Sequence, residues 1–119
     1  MPELTQHAQD IALRAMFSGD LTLALTRGGL EITDPGYEAQ PIRMSAPLTL
    51  SDGQTRIVTN ANEVRHGPWT DDALQPVEGW ELRDSTGAAL ASGTYLSQER
   101  FSRGQEGVTR ERTIILGLR

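Results

Sequence analysis

The sequence predicts a mainly β domain: an antiparallel β-sandwich (jelly-roll-like) of about seven or eight short strands behind one N-terminal α-helix. Three observations carry that prediction. Apolar residues recur at convincing helical spacing only near the start of the chain. From Gly19 onward the period falls to two, the spacing of a half-buried strand. The remaining chain is cut into short runs by 12 Gly and 6 Pro in 119 residues, about as often as a sandwich must turn.

The elements follow in order. Residues 3–17 read as the helix, because Leu4, Ala8, Ile11, Ala12, Ala15 and Met16 fall on one face. Pro2 suits its start and Gly19 its stop. A lone amphipathic helix must lay its apolar face on a sheet or on a neighbouring subunit. Leu21, Leu23 and Leu25 alternate with Thr22, Ala24 and Thr26, a half-buried strand that Arg27-Gly28-Gly29 breaks. In Asp34-Pro35-Gly36, Pro pre-sets φ and Gly is free to take positive φ, which is a strong turn signal. Residues 40–44 make a short strand that Pro41 places at an edge or a strand start. Residues 48–50 and 55–59 read as a hairpin closed by Asp52-Gly53.

Residues 62–66 form the next strand, with Val64 and His66 on one face. In residues 80–83, Trp80 and Leu82 point inward. The turn at residues 84–87 leads to a strand at 88–91, and residues 93–99 extend it after a bulge. Residues 112–118 make the last strand, with Ile114, Leu116 and Leu118 on one face. Residues 102–112, polar and Gly-bearing, read as an exposed loop or a β-arm. Without a repeat or linker, residues 1–119 read as one domain, long enough to bury roughly two-thirds of its unfolded surface.

Composition narrows the function. No cysteine is present, which removes disulfides, thiolate metal sites and a cysteine nucleophile. The formal charge is −5 with no basic stripe, so nucleic acid is not the expected partner. No apolar run approaches the roughly 20 residues of a membrane span, and the acidic, polar start is unlike a secretory signal. A soluble protein made in a cytoplasm is therefore expected. All eleven basic residues are Arg. Arg suits fixed protein–protein contacts, although a GC-rich codon bias accounts for the same lack of Lys.

The stretch EVRHGPWTDD, residues 63–72, concentrates a histidine, an indole and three carboxylates. A metal site would combine His66 with Glu63, Asp71 or Asp72, a donor set for Zn²⁺ or Mn²⁺. Only one histidine is local, and neither HExxH nor a Ca²⁺-loop spacing is present. The plainer reading is a strand ended by Gly67-Pro68, a plug formed by Trp69, and a loop solvated by Asp71-Asp72. His7, the other histidine, lies on the polar side of the helix. There is no GxSxG elbow, phosphate loop or GxGxxG. The sixteen carboxylates are scattered as on a solvated surface. No catalytic, metal or cofactor-binding residue is assigned, and the chain is expected to be no enzyme. Arg100, Arg103, Arg110 and Arg112 bracket the acidic, glycine-bearing loop, and an Arg-bearing arm there would reach a neighbour's carboxylates. With Leu4 and Ile11 of the helix they are the candidate interface residues. Trp69, Asp71 and Tyr95 are the candidate glycan contacts.

From Gly36-Tyr37-Glu38-Ala39-Gln40-Pro41-Ile42 onward the chain resembles a family of small tailed-bacteriophage structural proteins, the type labelled tail-fibre or minor tail proteins. Their pattern opens with a helix and a strand ending in DPG. It continues through GYxRQPI, TNTAEVxFGPWT and GWxLxDAxxGGxLLxxG. The counterparts here are residues 33–37, residues 59–70 (TNANEVRHGPWT), and residues 79–84 with 87–93. The likeness spans residues 4–96. Residues 105–112 are charged and depart from the family's apolar FxAGxLxIxL end, although residues 114–118 keep the final strand. In that pattern His66 stands for a core-facing aromatic.

The resemblance implies no catalytic residues. It implies a virion protein assembled in the host cytoplasm, an accessory tail, tail-tip or capsid-decoration subunit. Its partners would be other virion proteins and further copies of itself, as a homo-oligomer such as a trimer. The alternative expectation is a carbohydrate-binding module for host surface glycans.

Overall fold

The computed structural model describes residues 4–49 and 56–118. One helix, α1 (Gln6–Met16), precedes ten strands in these residues. They are β1 (Leu21–Arg27), β2 (Leu30–Glu31), β3 (Gln40–Ile42), β4 (Leu48–Thr49), β5 (Arg56–Thr59), β6 (Val64–His66), β7 (Val77–Arg83), β8 (Ala89–Glu99), β9 (Gly107–Thr109) and β10 (Ile115–Leu118). The fold is mainly β with one N-terminal helix, and every ladder is antiparallel.

A five-stranded sheet runs in the order β2-β1-β7-β8, with β3 also pairing β1. A three-stranded sheet runs β10-β5-β4, and a two-stranded sheet joins β6 to β9. One apolar cluster unites all three: Leu21 and Leu23 of β1, Ile42, Val64, Leu82, and Ile114 just before β10. The sheets therefore face one interior, as in a sandwich. A second cluster at one end gathers Leu25, Ile32, Trp69, Ala73 and Val77, with Tyr37, Tyr95 and Phe101 packed against it.

Local chemistry accounts for most of the boundaries. Thr5 caps α1, its hydroxyl accepting from the Ala8 N–H at 3.1 Å. The expected start at Pro2 and Glu3 lies outside the described residues. The helix packs on β5 and β10, and Asp10 pairs with Arg56 at 2.7 Å. The buried residues of α1 are Gln9 and Leu13. Leu4, Ile11 and Met16 remain exposed, so the predicted apolar face is not the one that docks. Paired glycines at positive φ, Gly28 and Gly29, close the β1–β2 hairpin. Asp84 closes the β7–β8 turn by accepting from the Thr86 and Ala88 N–H groups. β4 and β5 pair as expected, with Leu48 opposite Ile57, while the expected Asp52-Gly53 turn lies outside the described residues.

The short strand β2 is not predicted by the sequence. β9 lies within residues 102–112, expected as an exposed loop or a β-arm: a strand does form there, but Gly107 and Thr109 are buried and pair with β6, so that part is not a free arm.

The turn at Asp34-Pro35-Gly36 forms as predicted, with the Tyr37 N–H donating to the Asp34 carbonyl at 3.1 Å. Gly36 sits at φ 87°, and a Cβ there would collide with the Pro68 carbonyl and approach the Thr70 nitrogen at 2.8 Å. Gly87 has a similar φ, 85°, with open space around it. Gly87→Ala should therefore cost only the backbone strain, about 1 kcal/mol. Gly36→Ala should cost more, about 2–3 kcal/mol, because the turn must also leave residues 68–70. Urea unfolding of the two variants checks the order, and equal losses would contradict it.

Candidate functional site

The EVRHGPWTDD stretch lies where the five-stranded sheet meets the β6–β9 pair. Its exposed residues are conventional: Arg65 bridges Glu63 at 3.0 Å and Glu106 at 3.7 Å. Its buried residues, Val64, His66 and Trp69, turn inward. Trp69 stacks on Phe101 with ring centroids 4.3 Å apart. Its backbone N–H donates to the Gln105 carbonyl, and its carbonyl accepts from the Gly104 N–H. The indole N–H donates to Asp34 Oδ2 at 3.0 Å. Asp34 in turn takes both guanidinium N–H groups of Arg27. Those Arg27 bonds hold the Asp34 carboxyl below the usual range against the opposing effect of burial, and the indole N–H helps. Arg27 also donates to the Gln75 and Pro76 carbonyls, tying the β1–β2 hairpin to the loop after Trp69.

His66 and Tyr37 fill a gap along one edge of β1. β3 covers that edge as far as Leu23 and β2 resumes at Thr26. Between them the Leu25 N–H donates to the Tyr37 hydroxyl at 3.0 Å, and the Leu25 carbonyl accepts from Ile32. The Leu23 carbonyl faces His66 Nε2 at 2.9 Å. A carbonyl only accepts, so Nε2 carries the proton. Nδ1 is buried without a partner. Burial pushes the His66 pKa down, outweighing the Leu23 carbonyl and the more distant Glu31. The ring is therefore a neutral imidazole, T-shaped against Tyr37 at 5.7 Å.

The Tyr37 hydroxyl donates to Glu31 Oε2 at 2.7 Å. Burial and that carboxylate both push its pKa up. Arg83 donates to Glu31 at 2.8 Å and to Glu81 at 2.6 Å. The Glu31–Arg83 pair crosses β1, because β2 and β7 flank it on opposite sides. Ala24 of β1 is fully buried although Thr22 and Thr26 on the same face and its partner Glu81 on β7 are polar.

No protein-family model, curated protein or solved structure matches the chain.

The site residues expected from the sequence thus scatter. Among the described residues no group of three His, Asp or Glu converges as a metal would require. Trp69 is 1% exposed, so it has no face for a glycan, which corrects its place among the glycan contacts. Asp71 is exposed and accepts from the Asp72 N–H. Tyr95 is half-buried and packs on the Trp69 cluster. Leu4 and Ile11 are 51% and 56% exposed. Arg100, Arg103, Arg110 and Arg112 are all exposed, and none joins an ion pair among the described residues. No helix there is long and apolar enough to cross a membrane.

Sequence reasoning missed the role of Tyr37 and the Asp34–Arg27 clamp. Asp34 had been read as a turn residue alone, and its place before Pro-Gly gives no sign of the indole 35 residues away.

Two outcomes follow. Below a pH of about 6.5 an unfolded histidine takes a proton that folded His66 refuses, so the unfolded state binds more protons and stability falls as pH drops. The loss continues down to the folded pKa, at no more than about 1.4 kcal/mol per pH unit. His66→Phe should flatten the dependence of Tm on pH between roughly 6.5 and 5.5, above the range where the lowered carboxylates titrate. An unchanged slope would refute the neutral imidazole. Tyr37→Phe should cost about 1–3 kcal/mol in urea unfolding, because it strips a partner from both the Leu25 N–H and Glu31.

Proposed function

We propose that this chain is a non-enzymatic structural subunit of a tailed-bacteriophage virion. It would be an accessory tail or tail-tip (fibre-type) subunit or a capsid-decoration subunit, working through protein–protein contacts and located in the virion. The phage assignment rests on the resemblance over residues 4–96, whose shared GY, GPWT and GW motifs supply Tyr37, Trp69 and Trp80. The non-enzymatic reading is supported by His66, which is committed to a backbone carbonyl.

One observation carries assembly by contact. β8 closes the five-stranded sheet with eleven residues, and its outer edge pairs with no strand among those described. It contains no Lys, Arg or Pro, and its one charge is Glu99 at the end. Isolated proteins protect long edges with charges, prolines or bulges, because an open edge recruits another strand. Residues 91–94 of β8 run in unbroken register between a one-residue bulge at Leu90 and the irregular segment that follows, and they carry no charge or proline. An antiparallel edge pairs with a second copy of itself about a two-fold axis, or with a different strand in a larger ring such as a trimer. Leu4, just before α1, and Ile11 on it add exposed apolar surface, and the four Arg residues without an ion pair among the described residues offer partners to carboxylates of a neighbour.

Light scattering coupled to size-exclusion chromatography tests this reading. The wild-type chain should form a defined oligomer at high micromolar concentration. Ser92→Lys/Thr94→Lys, at two exposed β8 positions, should give a monomer with unchanged Tm. A monomeric wild type, or an oligomer indifferent to both lysines, would overturn assembly through β8.

A further inference from the structure

β8 and β9 border a cavity of about 330 Å³. That lies at the small end of the roughly 300–1,000 Å³ typical of small-molecule sites. A break in the β7–β8 ladder shapes one wall. Thr94 opposes Gly79 and Glu99 opposes Val77, so five residue steps on β8 answer two on β7. The three excess residues bulge within 95–98, and Tyr95 and Ser97 from that bulge line the cavity. Bulges of this kind re-aim side chains beside binding sites. On the other side β9 pairs with β6 alone, so no ladder closes the gap between β8 and β9.

The lining defines a ligand chemistry. Leu25 and Val77 form a buried apolar floor, Phe101 gives the half-buried apolar surface above it, and Trp69 stacked on Phe101 holds that ring in place. Glu99 and Arg110 are exposed and have no ion-pair partner among the described residues. Glu106 is the third charged group, already shared with Arg65. Carboxylates outnumber the guanidinium, which disfavours a phosphate or a carboxylate ligand. Arg110 beside Glu99 disfavours a cation. His66 also lines the cavity, and the Nδ1 of its ring is a buried acceptor without a partner. Acceptors in excess call for a ligand rich in hydroxyl donors, and the apolar surface calls for one with a C–H face.

We propose that the cleft between β8 and β9 binds a neutral sugar of monosaccharide size. Glu99 accepts its hydroxyl protons, Arg110 donates to its oxygens, and the half-buried Phe101 ring receives its C–H face. This site is separate from the open part of the β8 edge and does not rest on the assembly reading. It keeps Tyr95 from the sequence-based glycan contacts and replaces Trp69 and Asp71, neither of which lines the cavity.

The test is titration of ¹⁵N-labelled full-length protein with glucose, galactose, N-acetylglucosamine and rhamnose, with inorganic phosphate as the charged control. At least one sugar should shift amides within 95–99 and 106–110, while phosphate should not. Glu99→Gln and Arg110→Ala should each weaken that sugar about tenfold or more with Tm unchanged, since neither side chain supports the fold. The proposal is overturned if no sugar moves these amides at tens of millimolar, if the shifts fall elsewhere, if phosphate competes, or if both variants bind as the wild type does.

Discussion

The burial of Trp69 is the constraint on which the rest of this end of the molecule depends. An indole buries roughly 150–250 Å², worth about 4–6 kcal/mol at ~25 cal/mol per Å². It also carries an N–H that must find an acceptor inside. Asp34 supplies that acceptor, and an ionised carboxylate at such depth needs a cation. Arg27 supplies the cation and spends its remaining donors on the Gln75 and Pro76 carbonyls. One buried ring thus fixes the DPG turn, the β1–β2 hairpin and the loop before β7. The backbone of Trp69 pins the 104–105 loop that leads into β9.

A second demand arises at β1. A central strand whose neighbours stop short leaves buried backbone groups that must be paired. Leu23 and Leu25 meet that demand through the His66 imidazole, the Tyr37 hydroxyl and the Ile32 N–H. A histidine that completes a ladder in this way serves the fold, as its lowered pKa and single protonated nitrogen reflect. The same placement leaves Nδ1 buried without a partner among the described residues.

The fold separates two kinds of surface. The β8 edge over residues 91–94 offers regular backbone and small side chains, which suits another strand. From residue 95 onward the ladder breaks and the strand offers side chains to a cavity, which suits a small molecule. The wider of two irregularities in the β7–β8 register, between Val77 and Gly79, therefore divides the proposed assembly surface from the proposed ligand site.

The sequence by itself determined the kind of structure. Period-two apolar spacing, Asp-Pro-Gly, Gly-Gly and the Asp84 turn are local signals, and each produced its element because the physics acts within a few residues. Val64, His66 and Trp69 were legible as inward residues for the same reason. The tertiary structure decided what those residues touch. The face of α1 that docks holds Gln9 and Leu13, because packing on β5 with the Asp10–Arg56 pair outweighed the apolar count on the Leu4–Ile11 side. β9 emerged from a polar run because β6 offered it a ladder. The cavity was invisible because its walls are distant in sequence and only the sheet register brings them together. His66 meets Leu23 across 43 residues, and no local pattern encodes a contact made only when two sheets close on one another.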